Sequence, residues 1–222
     1  GPADFMASIN MKSLVVGEQP PRYDVGDAYH HILMSILLAA RANDKQAIDD
    51  IAQASPRIQT LIFGPADFMA SINMRSLVVG EQPPGYDVGD AYHHILMSIL
   101  LAARSHDLQA IDGPYLQIRD VEGFRRVAGR SAALGFDGKW VLHPGQIDAA
   151  NEVFAPSQSD YDHAELILDA YDYYTSEAGG AKGSAMIGDE MIDEASRKMA
   201  LVIAAKGRAA GLSRTSTFTP PE

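Results

Sequence analysis

Arg57-Ile58-Gln59-Thr60-Leu61-Ile62-Phe63-Gly64-Pro65-Ala66-Asp67 is the stretch that decides how this chain folds. Its first seven residues form a short apolar run rich in strand formers. Gly64-Pro65 breaks the run, and Asp67 follows just past its end. Two later stretches follow the same pattern. Leu108-Gln109-Ala110-Ile111-Asp112 runs into Gly113-Pro114-Tyr115, and Lys139-Trp140-Val141-Leu142 runs into His143-Pro144. A polar signature directly after a short strand is what parallel α/β sheets carry at the strand ends where ligands bind. Three such ends say more than one, because a single Asp after a strand is commonly a helix cap.

Working outward, helical segments fill the gaps. Val88 to Ser105 has apolar residues at helical spacing, with Asp87 or Asp90 as the candidate N-cap. Asp120 to Leu134 reads as an amphipathic helix entered at Asp120 and left at Gly135, and Gln146 to Phe154 as another. This alternation predicts a parallel sheet with covering helices. The pattern changes after Pro156. Asp160 to Ala178 reads as a long helix, Gly179 to Gly183 as a flexible joint, and Met191 to Ala210 as a second long helix ended by Gly211. The tail from Ser213 is polar and is expected to fray.

Residues 1–49 recur at 64–112 with five differences: Lys12/Arg75, Arg22/Gly85, Ala42/Ser105, Asn43/His106 and Lys45/Leu108. Two nearly identical copies are unlike a drifted repeat array of three or more units. They mark a duplicated block. Removing the 63-residue offset leaves about 159 unique residues. The second copy follows a strand and the first does not, so the second is expected to hold the better-packed structure. The organisation expected is a duplicated partial βα block at 1–50, barrel βα units at 51–155, and a helical lid and tail at 156–222.

Composition narrows the function. A chain 46% hydrophobic and 21% charged has enough apolar residues for a core at this length. Its net charge of -11 argues against a nucleic-acid binder, which needs basic surface to displace phosphate counterions. The absence of cysteine excludes disulfides, thiolate nucleophiles and zinc-thiolate sites. The longest apolar runs are too short to span a bilayer, and no basic-then-apolar leader opens the sequence. A cytoplasmic protein with no membrane partner is expected. His93-His94 lacks the i, i+4 spacing of a helical metal site. It reads as a helix face, and the tyrosines at 171–174 as a packing surface between lid and barrel.

Four motifs carry a resemblance: Leu61-Ile62-Phe63-Gly64-Pro65-Ala66-Asp67-Phe68, Ala110-Ile111-Asp112-Gly113-Pro114, Gly138-Lys139-Trp140-Val141-Leu142-His143-Pro144-Gly145-Gln146-Ile147 and Met191-Ile192-Asp193. In this order and spacing they resemble the malyl-CoA and β-methylmalyl-CoA lyases. These are citrate lyase β-subunit-like enzymes of the HpcH/HpaI aldolase superfamily. The resemblance implies an incomplete (β/α) TIM-type barrel, later strands only, followed by a C-terminal helical lid. It implies cleavage of a 3-hydroxyacyl-CoA thioester to glyoxylate and acetyl-CoA or propionyl-CoA. It also implies Mg2+ (or Mn2+) as cofactor, and a homo-oligomer that exchanges lids.

The same resemblance assigns roles. Asp67 is a metal ligand, as hard cations want carboxylate oxygens. Gly64, Pro65 and Ala66 face the 2-oxoacid carboxylate through their backbone. Asp193, on the lid, is the acid–base group; its competing reading is an acidic helix start that favours the helix dipole. Trp140, His143 and Pro144 line the pocket beside the pantetheine arm, or else Trp140 is core and His143 begins a helix. Lys139 and Arg119 either meet CoA phosphates or are solvated surface cations. A complete barrel needs ~250 residues, and residues 1–57 match neither the enolate-stabilising arginine strand nor the second metal-binding glutamate strand implied by the resemblance. Asp4 is the substitute carboxylate the first copy offers. The alternatives are a non-catalytic truncated remnant or oligomerisation module, and a related citrate lyase-like or malyl-CoA thioesterase activity.

Overall fold

A computed structural model describes residues 45–87 and 89–220. The chain forms two units, the first ending at Phe154 and the second beginning at Ala155. Most of the duplicated 1–50 block, with Asp4 in it, lies outside the described residues.

In the first unit, helix α1 (Lys45–Gln53) precedes strand β1 (Thr60–Ile62), helix α2 (Pro65–Ser71) and helix α3 (His93–Ser105). Strand β2 (Gln109–Asp112), helix α4 (Val121–Leu134), strand β3 (Gly138–Lys139), a single 3-10 turn (Pro144–Gln146) and helix α5 (Ile147–Phe154) complete it. The strands form one parallel sheet in the order β1-β2-β3. Thr60 pairs with Gln109, Ile62 with Ile111, and Asp112 with Lys139. One core gathers Leu61, Phe63, Phe68, Tyr92, Leu96, Ile99 and Phe136. A second, between α4 and α5, holds Tyr115, Phe124, Val127, Ala128 and Ala149.

The duplication exposes how far context overrides local sequence. Gln-Ala-Ile-Asp occurs twice, at 46–49 within α1 and at 109–112 as β2. In the first position Asp50-Ile51-Ala52 continues the chain, and Ile48, Ile51 and Ala52 are buried at helical spacing. In the second, Gly113 stops the segment and two neighbouring strands take its backbone groups. The four residues do not choose between these states; their flanks and partners do.

Two sequence expectations for this unit are corrected. The helix expected from Val88 begins at His93, because Asp90 Oδ1 accepts from the Tyr92 amide at 2.9 Å and Gln82 Oε1 accepts from that of Ala91 at 2.8 Å. Residues 139–142 are not one strand. Trp140 N makes a last bond to Asp112 O at 2.9 Å, and Leu142 N then donates to the buried Gln146 side chain at 2.9 Å, so the backbone leaves the sheet. Asp120 and Gly135 stand as read: the Asp120 side chain accepts from Gly123 N, and Gly135 ends α4 at φ 106°.

The second unit contains helix α6 (Gln158–Thr175), an antiparallel hairpin of β4 (Ser184–Ile187) and β5 (Glu190–Asp193), and helix α7 (Glu194–Ala209). The hairpin was not expected. Gly188-Asp189 is its two-residue loop, with Gly188 at φ 57°, the conformation a type II′ turn asks of its first central residue. Hence Met191 and Ile192 are strand, and the second helix starts at Glu194. The glycine joint is a hydrogen-bonded turn in which Ala181 N donates to Ser176 O and Lys182 N to Tyr174 O, each at 2.8 Å. The tail does not fray at its start. Thr215 N donates to Asp162 at 2.8 Å, Arg214 pairs with Asp169 at 2.8 Å, and Phe218 packs on Tyr173 and Tyr174. Tyr171 and Tyr174, with Phe218, therefore pack on the second unit's own core.

Candidate functional site

Because β1, β2 and β3 are parallel neighbours, the Gly64-Asp67 turn, Asp112-Gly113 and Trp140-His143 leave the same edge of one sheet. At the first end, Phe63 N donates to Ile111 O at 3.0 Å and Pro65 opens α2. Pro65 is buried, Gly64 half-buried, and Ala66 and Asp67 exposed. The ring of Phe68 anchors the helix against Phe63 and Tyr92, with centroids 5.7 and 6.1 Å away. Asp67 thus sits in the first turn of a short, well-anchored helix with its carboxylate toward solvent.

The second end holds charge inside the protein. Asp112 is 1% exposed and Lys139 8%. Lys139 Nζ donates to Asp112 Oδ2 at 2.7 Å and to Gly113 O at 2.7 Å. The Ser131 hydroxyl donates to Asp112 Oδ2 at 2.8 Å, and Asp112 Oδ1 accepts from Gly113 N at 2.8 Å. Burial pushes the Lys139 ammonium below its ordinary range, and Asp112 partly opposes that shift. Lys139 is therefore neither a surface cation nor a phosphate contact; it is an internal one. Strand alternation in Gln109-Ala110-Ile111-Asp112 puts Asp112 on the face of buried Ala110, the signal that would have placed it indoors.

Beyond Gly113, Tyr115 is buried, and its hydroxyl lies 2.9 Å from both Glu81 and Asp120. Burial and the two carboxylates push that phenol well above its ordinary range. Glu81 also pairs with Arg126 of α4, so this cluster ties the segment after α2 to α4.

At the third end Trp140 is half-buried, and His143, Pro144 and Gly145 are exposed. His143 Nδ1 accepts from Gly145 N at 3.0 Å and caps the 3-10 turn. Of the two readings for His143, the turn-starting one has its hydrogen bond in place.

Asp193 belongs to the second unit. It ends β5 and caps α7, accepting from Ala195 N at 2.9 Å and Ser196 N at 3.0 Å, while Ser196 Oγ completes a capping box. The Ser196 amide, then that of Ala195, holds its carboxyl below the usual carboxylate range.

Among the described residues the donors do not amount to a divalent-metal centre. Asp67 stands at the strand ends with Asp112 already paired indoors, and among the described residues no group of three or more His, Cys, Asp or Glu side chains converges. A hard cation takes six or more oxygen ligands and draws its affinity from their number and charge. The described residues alone therefore do not fit Mg2+. No helix among them is long and apolar enough to cross a membrane.

Residues 46–144 match the HpcH/HpaI aldolase/citrate lyase family. Over 164 residues the chain is 38% identical to the L-malyl-CoA/β-methylmalyl-CoA lyase of Cereibacter sphaeroides, covering 70% of this chain and 51% of that protein. The malyl-CoA/β-methylmalyl-CoA/citramalyl-CoA lyase of Chloroflexus aurantiacus is 32% identical over 195 residues, 80% of this chain and 54% of that one. The mixed α/β fold matches the crystal structure of CitE from Mycobacterium tuberculosis in complex with magnesium, acetoacetate and coenzyme A. The TM-score is 0.59 at 26% identity, over 74% of this chain and 57% of that one. The chain thus spans about half the length of the curated relatives it matches. Residues 46–144, and with them the three-stranded sheet and its strand-end turns, belong to the HpcH/HpaI aldolase/citrate lyase family.

Proposed function

We propose that this chain carries the later strands and the C-terminal helical lid of a CoA-ester carbon–carbon lyase. The reaction is cleavage of malyl-CoA or β-methylmalyl-CoA to glyoxylate and acetyl-CoA or propionyl-CoA. The observation that carries the reading is the convergence of three motif-bearing strand ends on one sheet edge, in residues that match the family. In such a cleavage a base takes the hydroxyl proton, the oxygen's electrons form the glyoxylate carbonyl as the C–C bond breaks, and the pair from that bond passes to the thioester as an enolate. The enolate carbon then takes a proton.

Within that scheme the Gly64-Pro65-Ala66-Asp67 turn is where glyoxylate binds, its backbone facing the carboxylate. Trp140, His143 and Pro144 form the wall beside the acyl-CoA arm. Asp193 is the acid–base group. Its hydrogen bonds keep it a carboxylate near neutral pH, the form that takes a proton from the acyl carbon in the condensation direction; in cleavage it is the protonated form that gives the enolate carbon its proton. Assembly with further copies, each lid serving a neighbour, is part of the same reading. Mg2+ or Mn2+ dependence needs carboxylates from outside the described residues, with Asp67 as one ligand.

That last point favours a second reading, in which the chain by itself is a folded, non-catalytic remnant or oligomerisation module. Glyoxylate release from malyl-CoA, with and without Mg2+, separates the two. The chain alone is expected to be inactive or strongly impaired. Adding a polypeptide that corresponds to the unmatched half of the Cereibacter sphaeroides lyase is expected to restore metal-dependent release. Full turnover by the chain alone would sink the remnant reading, and none after complementation would sink the lyase reading.

A further inference from the structure

The buried Asp112–Lys139 pair lies at the strand ends but offers no group to solvent. Its bonds converge on one residue, from the two peptide units that flank its α-carbon: Asp112 Oδ1 accepts from Gly113 N at 2.8 Å, and Lys139 Nζ donates to Gly113 O at 2.7 Å. Gly113 is thereby gripped on both sides. Its α-carbon abuts the neighbouring turn, since a β-carbon built there would lie 2.2 Å from Phe63 O and 2.2 Å from Pro65 Cδ. The chain of contact therefore runs from Lys139 through Gly113 to Pro65, two residues before Asp67. A third tie, Trp140 N to Asp112 O at 2.9 Å, links the pair to the pocket wall.

We infer that Lys139 and Asp112 are positioning residues that fix the Gly64–Asp67 turn by holding the Gly113 backbone against it. A buried pair of this kind is poor value for stability alone, since apolar residues of similar volume commonly do as well or better. What an apolar pair cannot supply is the two-sided hydrogen-bonded grip on Gly113. The role assigned to the turn rests on the lyase reading; the mechanical coupling does not.

The test uses the full chain and three readouts: the melting midpoint, amide hydrogen exchange of the Thr60–Ser71 segment, and emission of Trp140, the single tryptophan. Lys139→Met is compared with the double variant Asp112→Leu/Lys139→Met, which removes both charges and keeps the fold testable if the single variant unfolds. The expected result is a double variant melting close to wild type whose turn amides exchange about tenfold faster, a local opening well short of global unfolding. Trp140 emission is expected to shift with it. Exchange within about twofold of wild type in the folded double variant would overturn the proposal, twofold being a fraction of a kcal/mol. No substrate enters this measurement, so it succeeds or fails independently of glyoxylate release.

Discussion

Gly113→Ala and Gly129→Ala make the same chemical change and should move stability in opposite directions. At Gly113 the added carbon would sit 2.2 Å from a carbonyl oxygen and 2.2 Å from a proline ring, against ordinary contact at 3.4 Å or more. Something must yield by about 1.2 Å, and neither obstacle is the free end of a flexible side chain. Overpacking of this sort costs ~1–3 kcal/mol, and this geometry belongs at the upper end. The lost flexibility of the unfolded chain returns ~0.4–1 kcal/mol. The net is a loss of about 2 kcal/mol, or a melting point lower by roughly 4–8 °C for a chain of this length. Gly129 lies inside α4 with nothing within 4 Å of the new carbon. Alanine there should gain about 0.8 kcal/mol in helix propensity, a rise of roughly 2–3 °C. Thermal unfolding followed by Trp140 emission reads both in the first unit. A Gly113→Ala variant as stable as wild type would refute the claimed contact between Gly113 and the Phe63–Pro65 turn.

Other perturbations follow from the same geometry. Lys139→Met alone strands a buried carboxylate and should cost ~3–5 kcal/mol in urea unfolding, whereas the double apolar variant should recover most of it. Equal losses in both would contradict the pairing. Gly207→Ala places a carbon 2.2 Å from the buried Tyr161 ring at the α6–α7 crossing, and should lower the second unit's melting point by several degrees. No change there would mean the helices do not cross that closely. Acid should loosen the second unit. Glu165, held low mainly by its hydrogen bonds to Arg208, and Asp193, held low by the α7 amides, both have folded-state values below the unfolded ones. Their stabilisation is complete above an unfolded value of about 4 and disappears as pH falls through the folded values. Tyrosine near-UV dichroism between pH 6 and 2 checks this, with Glu165→Gln expected to flatten the curve; an equally steep curve in that variant would contradict it.

Much of the first unit was legible because its signals are local. Gly64-Pro65 stops β1, Asp120 caps α4, and Gly135 closes it, each by backbone chemistry a reader can name. The β4–β5 hairpin was equally local, with Gly188-Asp189 between Ala185-Met186-Ile187 and Met191-Ile192, but the acidic run beside it read as a helix start. In fact that helix starts only after Asp193. The placement of Lys139 was not legible, since its partner Asp112 is 27 residues away and only sheet pairing brings them together. The two Gln-Ala-Ile-Asp segments set the limit: no window of four residues distinguishes helix at 46–49 from strand at 109–112. Asp193 is the mixed case, since the helix-start chemistry is in place in the folded chain while its acid–base role is a proposal.

The central claim is that the strand-end surface around Asp67 is a lyase surface. Its most direct test is Mg2+-dependent glyoxylate release from malyl-CoA by the complemented assembly, with wild-type chain set against Asp67→Ala. Release is expected with the wild-type chain, and a loss of at least about a hundredfold, some 2.7 kcal/mol of transition-state stabilisation, with the variant. The same variant should melt like wild type, because the Asp67 side chain is exposed. Undiminished glyoxylate release by a folded Asp67→Ala assembly would contradict that claim.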